Sequence, residues 1–236
     1  MTGDATLAVG LEIDPLVPAA DSADLLLLQS GDELHAVARD AVSAVPQPGN
    51  DRSRRVFSVE WTPSTATRVA TGAVAERLLA LTFDRAVLAC AAQQLGIAAQ
   101  LLGLAVRYAQ EREQFGVPIG SFQAIKHMCA NVAVAVEFAR PVVYRAAHSV
   151  ARDGAQRSAD VSHAKVAASE AAILAAKNSL QVHGAIGYTW EVDLHLWMKR
   201  AWALDLAFGT RPFHIARVAD AVLAAGAPIG PGGLDA

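Results

Sequence analysis

The sequence has 236 residues, of which 53% are hydrophobic and 18% are charged. This length and composition can bury a sizeable core, which excludes an intrinsically disordered chain. The formal net charge is −3 and the basic residues are scattered, so nothing favours nucleic-acid binding. Cys90 and Cys129 lie in apolar helical patterns and indicate reduced core residues of a cytoplasmic protein. The histidines are dispersed and show no metal-ligand spacing.

Residues 1–73 carry the signals of strands and turns. Short apolar or alternating runs are separated by polar residues and by a Pro/Gly/Asn segment at 46–50. A run of leucines followed by SGDEL predicts a hairpin. The predicted strands are Leu7–Ile13, Asp24–Gln29, Leu34–Ala38 and Arg55–Trp61.

The pattern changes at Val74, where apolar residues begin to recur at helical spacing. Proline is then absent until Pro118, and Pro141 predicts a kink or local break in a later helix. Antiparallel helices joined by short loops predict a four-helix bundle with an extra helix over residues 74–225, followed by a frayed tail at 226–236. The fold class is therefore α+β, mainly α. After the first long helix, the predicted helices are Ser121–Ala151 with Ser121 as N-cap, Ala159–Val182, Val192–Leu206 and Pro212–Ala225.

One segment of the first long helix, Ala86–Val106, contains no charged residue and is long enough to span a membrane. It also contains Gln93, Gln94 and Gln100, whose amides would be unsatisfied in lipid. The sequence therefore predicts a buried helix of a bundle and no membrane span.

The segment RYAQEREQFGVPIGSFQ, residues 107–123, ends one long helix and opens the next through a turn rich in glycine and proline. It places Arg112, Gln114 and Phe115 within one turn. A guanidinium, an amide and an aromatic ring suit a phosphate and a flat ring. The same residues also fit a second interpretation, in which the charges are solvated at a helix end and Phe115 plugs the core.

Two separated stretches carry a family resemblance: REQFG with its turn and FQAIKHMCANV, and later QVHGAIGYTWEVDLHLWMKRA. Over roughly residues 74–223 the sequence resembles the C-terminal domain of flavin-dependent acyl-CoA dehydrogenases, with both motifs in the family's order. The resemblance implies that residues 1–73 form the later half of a small β-domain. It also implies FAD-dependent α,β-dehydrogenation of an acyl-CoA thioester in fatty acid or steroid degradation, with electron-transfer flavoprotein as acceptor.

The resemblance implies where the FAD would bind. Arg112 matches a position that faces the pyrophosphate, and Phe115 one that packs on the cofactor. A glycine-rich turn in the second stretch lets the backbone approach the cofactor. The family commonly has two glycines where this chain has Gly184 and Ala185, which adds a methyl group. The implied cofactor-binding residues are Arg112, Gln114, Phe115, Gln123, Gln181, Gly184 and Ala185.

For the catalytic base, the resemblance offers a candidate only through a rarer family pattern. The family's usual glutamate, just before a Gly-Thr pair, falls on Phe208, which cannot accept a proton. A minority arrangement carries the base on the first long helix beside an arginine. It matches Asp84 as base and Arg85 as a substrate contact, with Asp205 a weaker candidate. The alternative interpretation of Asp84 and Arg85 is an ion pair on a helix surface.

Family members begin with a helical domain and the first half of the β-domain, for which residues 1–73 leave no room. Either the chain is a fragment or a partner subunit completes the site, and three hypotheses describe its function. The chain resembles a short or degenerate subunit of actinobacterial heteromeric acyl-CoA dehydrogenases and gives residues to an FAD site between subunits; or it is a catalytically inactive structural subunit; or it is a self-sufficient enzyme with Asp84 as base. All three predict a homo- or hetero-oligomer.

Overall fold

The computed structural model describes residues 5–224 and residue 227. The chain divides into two compact units, one up to Phe83 and one from Asp84, so the division falls inside the first long helix. Strands give way to helix at Gly72, close to the predicted change at residues 73 and 74. The predicted frayed tail at 226–236 lies outside the described residues except for Ala227.

The first unit contains two small sheets. One has the strand order β1-β3-β4-β7 and the other the order β2-β6-β5. β1 pairs with β3 in parallel, and the other pairings are antiparallel. The predicted leucine hairpin is confirmed as β3 and β4. The strands are β1 (Leu7–Gly10), β2 (Val17–Pro18), β3 (Leu25–Ser30), β4 (Glu33–Ala38), β5 (Ser43–Gln47), β6 (Val56–Glu60) and β7 (Arg68–Thr71).

The core of this unit lies between its strands. Leu26 and Leu28 of β3 are buried while Leu25 and Leu27 are partly exposed, which is the alternation expected of a strand with one covered face. The apolar cluster comprises Ala8, Val17, Ala20, Ala23, Leu26, Leu28, Val37, Val42 and Phe57.

The second part of the chain is helical. The predicted helices are confirmed to within a few residues, with two corrections. Phe122 and not Ser121 is the N-cap, because the Ser121 hydroxyl donates to the Pro118 carbonyl at 2.7 Å. The helix also continues through Pro141, so no local break occurs there. The helices are α1 (Gly72–Glu111), α2 (Gln123–Arg152), α3 (Arg157–His183), α4 (Leu194–Leu206) and α5 (Arg211–Leu223).

Helix α3 packs against α2, α4 and α5. Its buried face is rich in alanine, and such small side chains let helix axes approach closely. Two hydrogen bonds tie α3 to α1. The Ser169 hydroxyl donates to the Gln94 Oε1 at 2.9 Å, and the Ser179 hydroxyl donates to the Leu101 carbonyl at 2.9 Å.

Among the described residues, α1 is the one helix long and apolar enough to cross a membrane. Within this single chain 44% of its apolar window is buried. Gln94 lies in this helix, fully buried and hydrogen-bonded to Ser169. An amide paired with a hydroxyl of a neighbouring helix fits the predicted bundle helix.

Candidate functional site

The turn between α1 and α2 is a two-stranded hairpin, β8 (Glu113–Gln114) and β9 (Val117–Pro118). Its two turn residues, Phe115 and Gly116, have φ of +56° and +78°. Left-handed values at both positions are those of a type I′ turn, which suits a two-residue hairpin but strains a residue other than glycine. The Phe115 side chain is 92% exposed, which excludes the interpretation of Phe115 as a core plug.

An exposed apolar surface surrounds this ring, and we call Phe115, Val117 and Phe122 the hairpin surface. The rings of Phe115 and Phe122 meet edge to face with centroids 6.2 Å apart. All three side chains are more than a third exposed. An exposed aromatic tip of this kind is a candidate binding feature, because water is a poor environment for so much apolar surface.

Polar side chains lie beside the hairpin surface. The backbone of Arg112 is held by two hydrogen bonds of 2.8 Å, from its N–H to the Tyr108 carbonyl and from the Ile119 N–H to its own carbonyl. The side chains of Arg112, Gln114 and Gln123 are exposed. The hairpin and its flanking residues therefore combine a guanidinium group and amide groups with an aromatic ring.

The second stretch begins where α3 ends. Gly184 terminates the helix with φ +63° and ψ −140°, a conformation that essentially only glycine adopts. No heavy atom lies within 4 Å of the position that a Cβ on Gly184 would take. Gln181, Gly184 and Ala185 are all exposed. Backbone is thus open to a ligand at this turn.

The two stretches meet at one end of the bundle. The rings of Tyr108 and His183 stack with centroids 4.4 Å apart. Val182 is buried against Ala105 and Ala109 of α1, and Ile119 packs against the same cluster. The end of α3 consequently lies against the end of α1 and the hairpin segment.

The residues gathered at this end fit the flavin dinucleotide that the sequence implied. The Arg112 guanidinium suits phosphate oxygens, and exposed amides of Gln114 and Gln181 supply donors. Phe115 offers an exposed ring, and the Gly184 turn offers backbone without a side chain. The individual roles of these residues remain predictions.

Asp84 lies elsewhere in the helical unit and is fully buried. Its Oδ2 accepts hydrogen bonds from Arg157 Nε and Ser158 Oγ, both at 2.8 Å, and its Oδ1 accepts one from Arg217 at 3.2 Å. The alternative of an exposed Asp84 and Arg85 pair is wrong, because Asp84 is buried while Arg85 is exposed. The catalytic role of Asp84 and the substrate contact of Arg85 remain predictions.

Near Asp84 lies a histidine that the sequence did not single out. His214 is fully buried, and its Nε2 lies 3.0 Å from the Phe208 carbonyl oxygen. Since a carbonyl only accepts, Nε2 carries the hydrogen, and Nδ1 accepts from Ser162 Oγ at 3.1 Å. Burial, with further contributions from Lys165 and Arg217, lowers the pKa of His214 to about 4. Its imidazole is therefore neutral near pH 7.

The structure also shows the surroundings of Asp205 and the backbone conformation of Phe208. Asp205, the weaker base candidate, forms an ion pair with Arg211 at 3.2 Å. Phe208, at the place of the family's usual glutamate, lies in a turn with φ +53° and precedes Gly209 with φ +100°. No spacing in the sequence indicated that Arg157 of α3 would converge with His214 and Arg217 of α5, because the two helices are far apart along the chain.

The model of the acyl-CoA dehydrogenase C-terminal domain matches residues 76–223. The chain is similar to the acyl-CoA dehydrogenase IpdE2 of Mycolicibacterium smegmatis, with 39% identity over 181 residues, which cover 77% of this chain and 53% of that protein. It is also similar to IpdE2 of Mycobacterium tuberculosis, with 47% identity over 118 residues, which cover 50% of this chain and 35% of the relative. The chain spans about half or less of the length of these curated relatives.

Among solved structures, the ChsE4-ChsE5 complex from Mycobacterium tuberculosis resembles the chain with a TM-score of 0.77 and 25% identity, covering 96% of this chain and 65% of that one. The fold agrees with the match of the domain model, which extends over more than half of the sequence. This chain therefore belongs to the acyl-CoA dehydrogenase family and contains its C-terminal domain.

Proposed function

We propose that this chain takes part in the FAD-dependent α,β-dehydrogenation of an acyl-CoA thioester and contributes part of an FAD site that another subunit completes. One observation carries the proposal. The hairpin surface and the Gly184 turn lie at the same end of the bundle, joined by the stack of Tyr108 on His183. Arg112 and Gln181 are exposed there, available to a ligand.

Completion by another subunit is supported by the exposure of Phe115 and by the similarity to a solved complex. Burying a phenylalanine side chain stabilises an assembly by roughly 1.5–3 kcal/mol, so a 92% exposed ring favours a covered state. The similar solved structure is a complex of two differently named chains.

In this proposal the chain's own residues bind and orient. Arg112 holds phosphate oxygens through its planar fork, and Gln114, Gln123 and Gln181 donate amide hydrogen bonds. Phe115 packs on the cofactor, while Gly184 and Ala185 bring backbone close to it. When bound, FAD accepts the hydride from the acyl group, and an electron-transfer flavoprotein is the proposed acceptor of the electrons.

The first test is flavin absorbance of the full chain, purified alone and co-produced with a full-length acyl-CoA dehydrogenase subunit. We expect flavin in the co-produced complex only. The variant Arg112→Ala should then lower the affinity of the complex for FAD at least tenfold, since one charge-assisted phosphate contact contributes about 1.5–3 kcal/mol. Arg107→Ala is the matched control, because Arg107 is also exposed near the end of α1.

Two results would contradict the proposal. Stoichiometric flavin on the chain alone would overturn the shared site. An unchanged flavin content in the Arg112→Ala complex would overturn the assignment of Arg112.

A second candidate function is a catalytically inactive structural subunit. The surroundings of Asp84 favour this candidate, because both of its carboxylate oxygens accept hydrogen bonds inside the bundle. This candidate predicts a purified complex whose flavin content does not depend on any of the residues at the hairpin surface.

The third hypothesis, a self-sufficient enzyme, predicts turnover of acyl-CoA by the chain alone. Asp84→Asn should then abolish that turnover.

A further inference from the structure

A continuous network of hydrogen bonds, buried or partly buried, runs from Asp84 to the Phe208 carbonyl. Arg217 donates one bond to Asp84 Oδ1 at 3.2 Å and another to Ser162 Oγ at 2.9 Å. The Ser162 hydroxyl donates to His214 Nδ1, and His214 Nε2–H donates to the Phe208 carbonyl. This hydrogen-bond network thereby links α1, α5 and α3 with the turn before α5.

At one end of this network, the Asp84 carboxylate is poorly placed to remove a proton from a substrate. A general base needs a free lone pair within hydrogen-bond reach of the proton that it takes. Asp84 is fully buried, and its carboxylate is bonded to two guanidinium groups and the Ser158 hydroxyl. Such bonds stabilise the carboxylate and hold it in one orientation.

At the other end of the hydrogen-bond network lies a strained turn, formed by Phe208 and Gly209. Phe208 and Gly209 both have left-handed φ, a conformation that strains a residue with a Cβ such as Phe208. A Cβ on Gly209 would lie 2.7 Å from Phe213 Cδ1 and 3.0 Å from His214 Nε2, so the turn is pressed closely on α5. The hydrogen bond from His214 holds the Phe208 carbonyl in this arrangement.

We propose that Asp84 is a positioning residue, which acts through Arg217, Ser162 and His214 to hold the Phe208–Gly209 turn, and that it does not itself remove the substrate proton. The proposal rests on the dehydrogenase function proposed above and specifies that function further. Each link of the hydrogen-bond chain has a defined donor and acceptor, so each can be removed separately.

The test measures amide hydrogen exchange of residues 205–213 in the full chain, relative to exchange in α2. Asp84→Asn, Ser162→Ala and His214→Leu should each accelerate exchange at the turn about tenfold. His214→Gln should not, because the glutamine amide can donate to the Phe208 carbonyl in place of Nε2. Arg157→Gln is the matched control, since Arg157 bonds Asp84 but lies off the path to His214.

The same Asp84→Asn variant is assayed for turnover in the flavin-containing complex. We expect kcat to fall less than tenfold, whereas loss of a general base costs about 10²–10⁴-fold. A fall of a hundredfold or more with flavin retained would overturn the proposal, as would unchanged exchange at the turn in Asp84→Asn and Ser162→Ala. A wild-type complex without flavin would instead refute the proposed function and leave the exchange results intact.

Discussion

Tyr108 and His183 stack nearly face to face, with 4.4 Å between ring centroids and 20° between ring planes. Tyr108 lies one turn before the end of α1, and His183 is the last residue of α3. The His183 Nδ1 donates to the Ser179 carbonyl at 2.7 Å, which fixes the ring against its own helix. The stack therefore sets the spacing between the hairpin surface and the Gly184 turn.

The first prediction concerns this stack. Tyr108→Leu and His183→Ala should show a coupling of about 1 kcal/mol in a double-mutant cycle on the free energy of unfolding, since such aromatic pairs contribute roughly 0.5–1.5 kcal/mol beyond burial. Each change should also weaken FAD binding in the assembled complex. Tyr144→Leu is the control, because Tyr144 is exposed on α2. Additive effects of the two variants would show that the rings do not couple.

The helices were predictable because their signals are local. Apolar spacing and the absence of proline located α1, and glycine located the end of α3 at His183. The strands β2 and β7 were missed, and the two residues of β2 give no measurable alternation. The strand β5 was also missed, because Pro46 was assigned to a turn segment. In the structure β5 pairs with β6 at the edge of its sheet, where proline is tolerated.

The site was predictable only in part. The residues Arg112 and Phe115 stand in one short segment, so their proximity follows from the sequence. The hydrogen-bond partners of Asp84 could not be predicted in this way. Arg157 and Arg217 lie 73 and 133 positions further along the chain, in other helices. The burial of Asp84 depends on that tertiary packing, and a charged residue on a helix gives no local sign of it.

The second prediction separates strain from binding at the hairpin tip. Phe115→Gly should raise the free energy of unfolding of the chain by up to about 1 kcal/mol, because glycine adopts φ +56° without strain. It should also weaken FAD binding in the complex, because the aromatic ring is lost. Gly116→Ala is the opposite control and should destabilise the hairpin, since Gly116 has φ +78°. Urea denaturation and flavin titration give the two quantities, and tighter flavin binding by Phe115→Gly would contradict the assignment of Phe115.

The third prediction concerns the turn after α3. Gly184→Ala should destabilise the chain by about 1–3 kcal/mol through backbone strain alone, because the space around a new Cβ is open. Ala185→Gly should instead tighten FAD binding, because it removes a methyl group where the proposed site brings backbone and cofactor close together. Thermal denaturation measures the first effect and flavin titration the second. Weaker flavin binding by Ala185→Gly would show that the methyl group is a favourable contact.

The fourth prediction follows from the buried histidine. The charged groups that face His214 are Lys165, Arg217 and Asp84, and burial is the main cause that lowers its pKa from 6.5 to about 4. Between these values the unfolded chain binds a proton that the folded chain does not, so stability is full above about pH 6.5 and falls as the pH falls towards 4. The contribution of His214 to the free energy of unfolding should decrease by roughly 2–3 kcal/mol between pH 7.5 and 4.5.

Urea denaturation of wild type and His214→Gln at the two pH values isolates this contribution. The carboxylates titrate in both proteins, so their effect cancels in the difference, and the variant should lose less stability on acidification. Glutamine retains a donor for the Phe208 carbonyl but does not titrate. Equal losses in the two proteins would mean that His214 accepts a proton in the folded bundle as readily as in water, which its burial and the positive charges of Lys165 and Arg217 oppose.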